Sequence, residues 1–580
     1  AAQGPPCVPM PTPEAMLPAG ANPDGPTLAP GGRAIDPEGP NLVLPGFPTK
    51  VLTHPTLPVA YIASTSRDDR RLLVVDLDGP TVLQDIDRGE AFYGLALDAV
   101  HGRLYASGGD HETVELYDLM DDGTLLPAGA IDVPGYPSGL ALSPDGGTLW
   151  AGRFDARGVV EVDLASGEVA RQIPTANPVW ALALLPDRGE LYASTLHGAS
   201  ISVLDLDEGV LAAQIALPTE PAGMVVAPGG GTVWVAVADG DIVAAVDPAA
   251  RAVTAWGGVA EDDLLDADGL PLGQSNVNAL AFDAARGRLY ASRGSDNAVS
   301  VLTADTLELL GSLPASWYPS DVALTADGDH LVVIEGKGGG AGPNEGHSAK
   351  DAMKGSVTVV DLATLDLAAS TARTHANFTR PDRVFPFDCD GRFPIPTRPG
   401  QRSPIRHVVL VVKENKTFDC VFGDLDDPRV ERDPSLVRWG EAFTPNQHAL
   451  ARQFVLSDNF YTEVQNSDAG HLFLTGGHLT EFVERMWIEA SRADGFLGFQ
   501  LMPSAQPSMG NLFTHLIDQG ITLDIYGEIV GMFVNSQTGP RPVQFSDQHY
   551  PGGAFFNLGV KDELKVRYLI GKLEAGELAQ

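Results

Sequence analysis

A short motif, one apolar residue, one aromatic and two small residues, recurs through the first 335 residues and limits what this chain can fold into. The copies are Tyr61-Ile62-Ala63-Ser64, Leu104-Tyr105-Ala106-Ser107, Leu149-Trp150-Ala151-Gly152, Leu191-Tyr192-Ala193-Ser194, Val233-Trp234-Val235-Ala236 and Leu289-Tyr290-Ala291-Ser292, with a last copy, Leu331-Val332-Val333-Ile334, that lacks the aromatic. Taking positions 61, 105, 150, 192, 234, 290 and 332 as equivalent, the steps are 44, 45, 42, 42, 56 and 42 residues, and the long step carries a polar insert at 261–274. A fixed period of this size marks units that cannot bury an apolar face alone and must stack on one another.

The rest of each unit excludes a helical solenoid. Most copies follow a small-residue strand signal, as in Ser138-Gly139-Leu140-Ala141-Leu142, and a turn such as Pro144-Asp145-Gly146-Gly147. Each is followed by an alternating strand ending in Asp76, Asp118, Asp163, Asp205, Asp247 or Asp361, with Thr303 in the sixth unit. Period-two strands between Gly, Pro and Asp turns predict four strands per unit, and so an all-β seven-bladed propeller over residues 47–370. The strand-end aspartates read as caps of their own turns rather than as a ring of cation ligands. The glycine-rich stretch at 335–344 reads as a mobile loop of the last blade reaching the next domain; no Gly-Lys-Ser/Thr and no helix pattern follow it, which excludes a phosphate-cradling loop. Residues 1–46 read as an extended Pro/Gly-rich lead-in whose residues 41–44 can close the propeller, and residues 371–404 as a Pro- and Arg-rich linker.

Composition narrows the partners. The chain of 580 residues has 38 Lys+Arg against 76 Asp+Glu, a formal net charge of -38, which argues against nucleic acid and anionic membrane surfaces as partners. Its longest unbroken apolar stretch is the seven residues 179–185, too short for a transmembrane segment. The chain starts at Ala1 with no charged and then apolar leader, the pattern expected of a mature exported protein, whether secreted, periplasmic or on the cell surface. Cys7, Cys389 and Cys420 allow one internal disulfide at most, with Cys7 and Cys389 one candidate pair that would tie the two ends of the propeller together.

After residue 404 the periodicity changes. Residues 406–413 form a continuous aliphatic run expected to be a strand buried on both faces, and 447–454 and 470–487 have helical spacing, so residues 405–580 are expected to be α/β. The strand runs into Lys413-Glu414-Asn415-Lys416-Thr417-Phe418-Asp419, placing a carboxylate and an amide at a strand's carboxyl end, where open α/β sheets bind ligands. Further on, Ser467 begins the stretch Ser467-Asp468-Ala469-Gly470-His471-Leu472, a serine at the start of an amphipathic helix. Free backbone N–H groups there stabilise an alkoxide or a phosphate. The same serine also reads as a plain helix N-cap.

The repeat resembles the YVTN-type β-propeller family, in which the motif aromatic packs between blades. The later segments resemble the phosphoesterase family of bacterial phospholipases C and acid phosphatases, within the alkaline phosphatase superfamily. That resemblance implies divalent metal ions bound by Glu414, Asn415 and Ser467, Ser467 as the nucleophile at phosphorus, and His471 as a contact to the phosphate or leaving group. Thr417 is the weaker nucleophile candidate, and Asp419 and Asp458 are expected to fix loops. Family members carry further Asp and His ligands on a later strand; no matching segment is found here, and His515 and His549 lack ligand-pair spacing, so the alkaline-phosphatase-like domain is expected to be C-terminally incomplete. Two functions follow. One is an exported metal-dependent phosphoric ester hydrolase, acting on a phosphate-ester small molecule or lipid headgroup, with a propeller for binding. The other is an extracellular propeller-based binding or assembly protein, docking a protein or cell-surface partner, whose esterase-like domain is defective.

Overall fold

The computed structural model describes residues 17–22, 26–67, 70–89, 91–260, 275–342, 351–379, 402–490, 502–528, 549–552, 557 and 559–578. Seven four-stranded antiparallel sheets form the blades of a β-propeller. Blade one consists of Phe47–Thr53, Val59–Thr65, Arg71–Asp76 and Thr81–Asp87, and the next five blades repeat this order outward from the axis. The seventh takes Pro319–Leu324, His330–Gly340 and Lys354–Asp361 and is completed by Asn41–Pro45, which pairs with Lys354–Asp361 in the register Asn41↔Thr358 and Pro45↔Lys354. A strand from before the first blade therefore closes the ring and covers the edge of Lys354–Asp361 that a three-stranded seventh blade would expose.

The recurring motif lies on the second strand of every blade. Its aromatics are buried against the following blade: Tyr61 packs with Leu95 and Leu104, Tyr105 with Leu140 and Leu149, and Tyr290 with Val322 and Leu331. Trp234 meets Phe282 at 4.6 Å between ring centroids. Apolar burial between blades, rather than within any one, holds the ring together. The strand-end aspartates cap turns: Asp163 Oδ1 accepts from the amides of Ala165 and Ser166, Asp205 from Asp207 and Glu208, and Asp247 from Ala249 and Ala250.

Several expected boundaries move. Residues 335–340 are not a loop but the end of a long strand. A Cβ on Gly336 would come within 2.3 Å of the Phe47 ring, so the glycine is needed for close packing rather than for mobility. The expected linker begins as helix α1 (Leu367–Thr379), packed on the outer strand of blade six, where Thr371 Oγ1 accepts from the Ser312 amide at 2.9 Å. Cys7, Cys389 and the insert at 261–274 lie outside the described residues, and Cys420 has no disulfide partner among the described residues.

The chain forms two compact units. Ala34–Thr379 clusters with Val464–Ala579, and Arg380–Glu463 with Ala1–Arg33. The second of these contains α2 (Phe418–Phe422) and α3 (Pro445–Gln453). Buried His448 joins its pieces, with Nε2 3.0 Å from Asp424 and Nδ1 beside Thr444. Asp419 accepts from the Asp433 amide and Asp458 from the Glu431 amide, both at 2.8 Å, so both aspartates do fix loops. The expected buried strand at 406–413 is not formed: these residues pair with no strand among the described residues and are exposed, Val408 and Val409 each at 84%. After Thr379 the described residues contain helices and no strand, so the run has no described neighbour to pair with, and a lone strand does not bury itself. The α/β sheet expected for residues 405–580 is thus not found among the described residues. The propeller unit adds α4 (Ser467–Gly476), α5 (Glu481–Ala490), α6 (Leu512–Asp518) and α7 (Asp562–Ala575).

Candidate functional site

The propeller axis is lined by one residue at an equivalent position in, or just before, the innermost strand of each blade. Five are Gly or Ala, among them Gly94, Gly139 and Gly223. Small residues are required because the blades converge here; a Cβ on Gly94 would lie 2.0 Å from the Ser138 carbonyl oxygen. The other two are Lys50 of blade one and Asp321 of blade seven, whose Nζ and Oδ2 are 2.9 Å apart. They close one side of a cavity of about 60 Å³. Burial alone would lower the Lys50 pKa, but the charge and hydrogen bond of Asp321 outweigh it and raise the ammonium above its usual range.

Helix α5 sits over this channel. Its described side chains from Glu481 to Ile488 are all buried, apolar Phe482, Val483, Met486, Trp487 and Ile488 alongside charged Glu481, Glu484 and Arg485. Each charge has a partner. The Arg485 guanidinium donates to Glu481 at 2.5 Å and to the backbone oxygens of Ser320 (2.5 Å) and Thr49 (3.4 Å), with the Phe47 and Trp180 rings about 6 Å away. The other Glu481 oxygen accepts from the Tyr318 hydroxyl and from Asn278 Nδ2. Burial and the neighbouring glutamates hold the Tyr318 phenol well above its usual pKa, so it stays a donor. Lys337 Nζ pairs with Glu484 at 2.7 Å and lies over the Trp317 and Tyr318 rings. Asn276 Nδ2 caps the approach by donating to the Leu479 carbonyl at 2.7 Å. Buried charges are tolerated only when paired and hydrogen-bonded in this way.

None of these mouth residues was singled out from the sequence. In Glu481-Phe482-Val483-Glu484-Arg485-Met486-Trp487-Ile488 the apolar Phe482, Val483, Met486 and Trp487 share one face and Glu481, Glu484 and Arg485 the other, the pattern of a surface helix, so nothing local marked its charged face as buried.

The residues expected to do chemistry fall in different units. Glu414 and Asn415 are exposed in the Arg380–Glu463 unit, Asn415 Nδ2 lying 3.3 Å from Glu414 Oε1. Ser467 and His471 belong to the propeller unit. Asn466, not Ser467, is the N-cap of α4, accepting from the Ala469 amide at 3.1 Å, and Ser467 is the exposed first helical residue. His471 follows one turn later on the same helix face, with Nδ1 2.7 Å from Glu528 Oε1. Among the described residues no three His, Cys, Asp or Glu side chains are gathered around one point for a metal ion.

No protein-family model and no curated protein matches the sequence. Among solved structures, hydrazine synthase of Kuenenia stuttgartiensis is similar over 56% of this chain and 97% of that one, with 19% identity and a TM-score of 0.45. At that score the likeness adds nothing to the strand order described above, which by itself makes this chain a seven-bladed propeller, a fold that suits binding or assembly.

Proposed function

We propose that this chain is a binding and assembly protein whose propeller serves as a dock. The observation that carries this reading is the filled mouth: α5 enters it with three charged side chains, all matched by propeller groups from blades one, six and seven. The dock holds the segment from Leu479 onward and so mounts α4, with exposed Ser467 at its start, on a rigid base. Amide hydrogen exchange of the full chain tests this. The amides of 481–488 should exchange as slowly as blade strands, and the double substitution Arg485→Ala with Lys337→Ala should speed them selectively. Exchange as fast as that of the exposed helix α7 in the unsubstituted chain would refute the dock.

A second reading, an exported metal-dependent phosphoric ester hydrolase, is favoured by one observation: Asn466 does the capping of α4, which leaves the Ser467 hydroxyl, at a helix N-terminus, without a partner among the described residues. Glu414 and Asn415 offer an exposed pair of adjacent oxygen donors of the kind a divalent ion takes, and that ion would supply charge stabilisation at a phosphoryl group. Ser467 would be the nucleophile, and His471, oriented by Glu528, would hold a proton for the leaving group. The substrate class is a phosphate monoester or diester, free or in a lipid headgroup. Hydrolysis of an aryl phosphate and an aryl phosphodiester, lost with chelator and with Ser467→Ala, tests it; turnover that survives Ser467→Ala would remove the serine from the mechanism.

A further inference from the structure

An open groove of about 460 Å³ lies between blades one and seven. It is on the face of the ring opposite the α5 dock, since His330 and Lys337 sit toward opposite ends of one strand, the first at the groove and the second at the dock. Three elements wall it. One is the turn after the third strand of blade one, with Leu77, Asp78 and Pro80. Another is the end of the third strand of blade seven, with Asp361 and Leu365, and the last is Glu38 with the start of α1, carrying Asp366, Ala369 and Arg373.

Each wall is held in place. The Glu38 amide donates to the Pro314 carbonyl at 2.9 Å, and the Arg373 guanidinium pairs with Glu38 at 3.0 Å and Asp36 at 3.5 Å. Asp361 accepts from the Ala363 amide and the Thr364 hydroxyl, both at 2.8 Å, and Asp366 from the Ala369 amide at 3.1 Å. The result is a fixed concavity whose volume falls in the range of roughly 300–1,000 Å³ usual for binding pockets.

Its lining combines two chemistries. Leu77, Pro80 and Leu365 are apolar, while Glu38, Asp78, Asp361 and Asp366 bring carboxylates. Arg373 is already committed to Glu38 and Asp36, and no cation among the described residues forms an ion pair with Asp78, Asp361 or Asp366. The Thr364 hydroxyl and the Ala363 amide hold the Asp361 carboxyl below its usual range, so it stays charged. An apolar surface edged by uncompensated carboxylates is the complement of arginine and lysine side chains, which carry a cationic head on an apolar stem.

We propose that this groove binds a basic segment of a partner protein, an extended peptide in which arginine or lysine alternates with apolar residues. The inference rests on the assembly reading and deepens it: the mouth is filled by the chain's own helix, and the groove is the surface left for a partner. The net charge of -38 steers such a peptide in, so affinity falls as salt rises.

The test is fluorescence anisotropy of a fluorescein-labelled octapeptide of alternating arginine and valine, titrated with the full chain. Binding should saturate at one site and weaken roughly tenfold in Ala369→Arg, which places a guanidinium in the groove from an exposed helical position. Asp361→Asn with Asp366→Asn, which keeps an oxygen for each turn cap, should weaken it by a similar factor. The same exchange at Asp163 and Asp205, turn caps of blades three and four outside the groove, should leave it unchanged. No saturable binding, full binding by Ala369→Arg, or an equal loss in the Asp163 and Asp205 control overturns the site, the last showing that overall acidity alone attracts the peptide. Labelled spermine bound as tightly as the peptide overturns the peptide as ligand. Hydrogen exchange at 481–488 reads the α5 dock separately, so either can fail without the other.

Discussion

Lys337 Nζ lies 2.7 Å from Glu484 Oε2, with the two side chains 2% and 7% exposed, joining residues 147 apart in sequence. The lysine comes from a glycine-rich strand end and the glutamate from the helix that fills the propeller mouth. Neither charge could be buried without the other.

Lys337→Met strands a buried carboxylate and should lower stability by about 3–5 kcal/mol. The double substitution Lys337→Met with Glu484→Met should recover most of that loss, because it removes both desolvated charges. Urea unfolding of the two variants checks this. A double variant as unstable as the single one would mean that packing, not charge, is what the substitution disturbs.

Glu335 is buried between the strands of blade seven, hydrogen-bonded by Thr358, Ser356 and the Ser316 amide. Burial outweighs those bonds and raises its pKa from 4.5 to about 7. A raised carboxyl binds its proton more tightly folded than unfolded, so its stabilising contribution is complete below pH 4.5 and is lost as pH rises through 7. The shift corresponds to roughly 3 kcal/mol. The stability difference between the parent chain and Glu335→Gln, followed from pH 4 to 8, should move by that order in favour of the variant as pH rises. A flat difference would remove the glutamate as the source.

The motif tyrosines differ in what their hydroxyls do. Tyr61 donates to the Gly123 carbonyl at 2.9 Å, whereas the Tyr192 hydroxyl is buried with no partner among the described residues. Tyr61→Phe should cost about 1 kcal/mol, and Tyr192→Phe should be neutral or stabilising. Thermal melts of the two variants separate them.

At the start of α4, capping and chemistry sit on neighbouring residues. Asn466→Ala should cost about 1 kcal/mol of stability by freeing the Ala469 amide. Ser467→Ala should leave stability unchanged and abolish any phosphate-ester hydrolysis. Loss of stability in Ser467→Ala, measured by denaturation, would return the serine to a structural role.

The blades were legible because their signals are local. The motif at 61, 105, 150, 192, 234 and 290, the Asp turn caps and the closing strand at 41–44 each depend on neighbours a few residues away or on one repeat period. The aliphatic run at 406–413 misled for the opposite reason: its pattern specifies a strand suited to burial, while burial needs partner strands, and the described residues after Thr379 include none. The serine also shows the limit of local signals. Ser467 and Asn466 are both good capping residues, and only the backbone geometry assigns the cap to Asn466.

The amino-acid sequence by itself determined a ring of seven four-stranded units, because a 42–45-residue period of half-buried strands has no other way to cover its apolar faces. Only the tertiary structure decided that the mouth of this ring is filled by Glu481–Ala490 and that Lys337, Glu481, Glu484 and Arg485 belong together. The physical reason is that pairing of buried charges depends on which surfaces meet in space. No periodicity along the chain records that meeting.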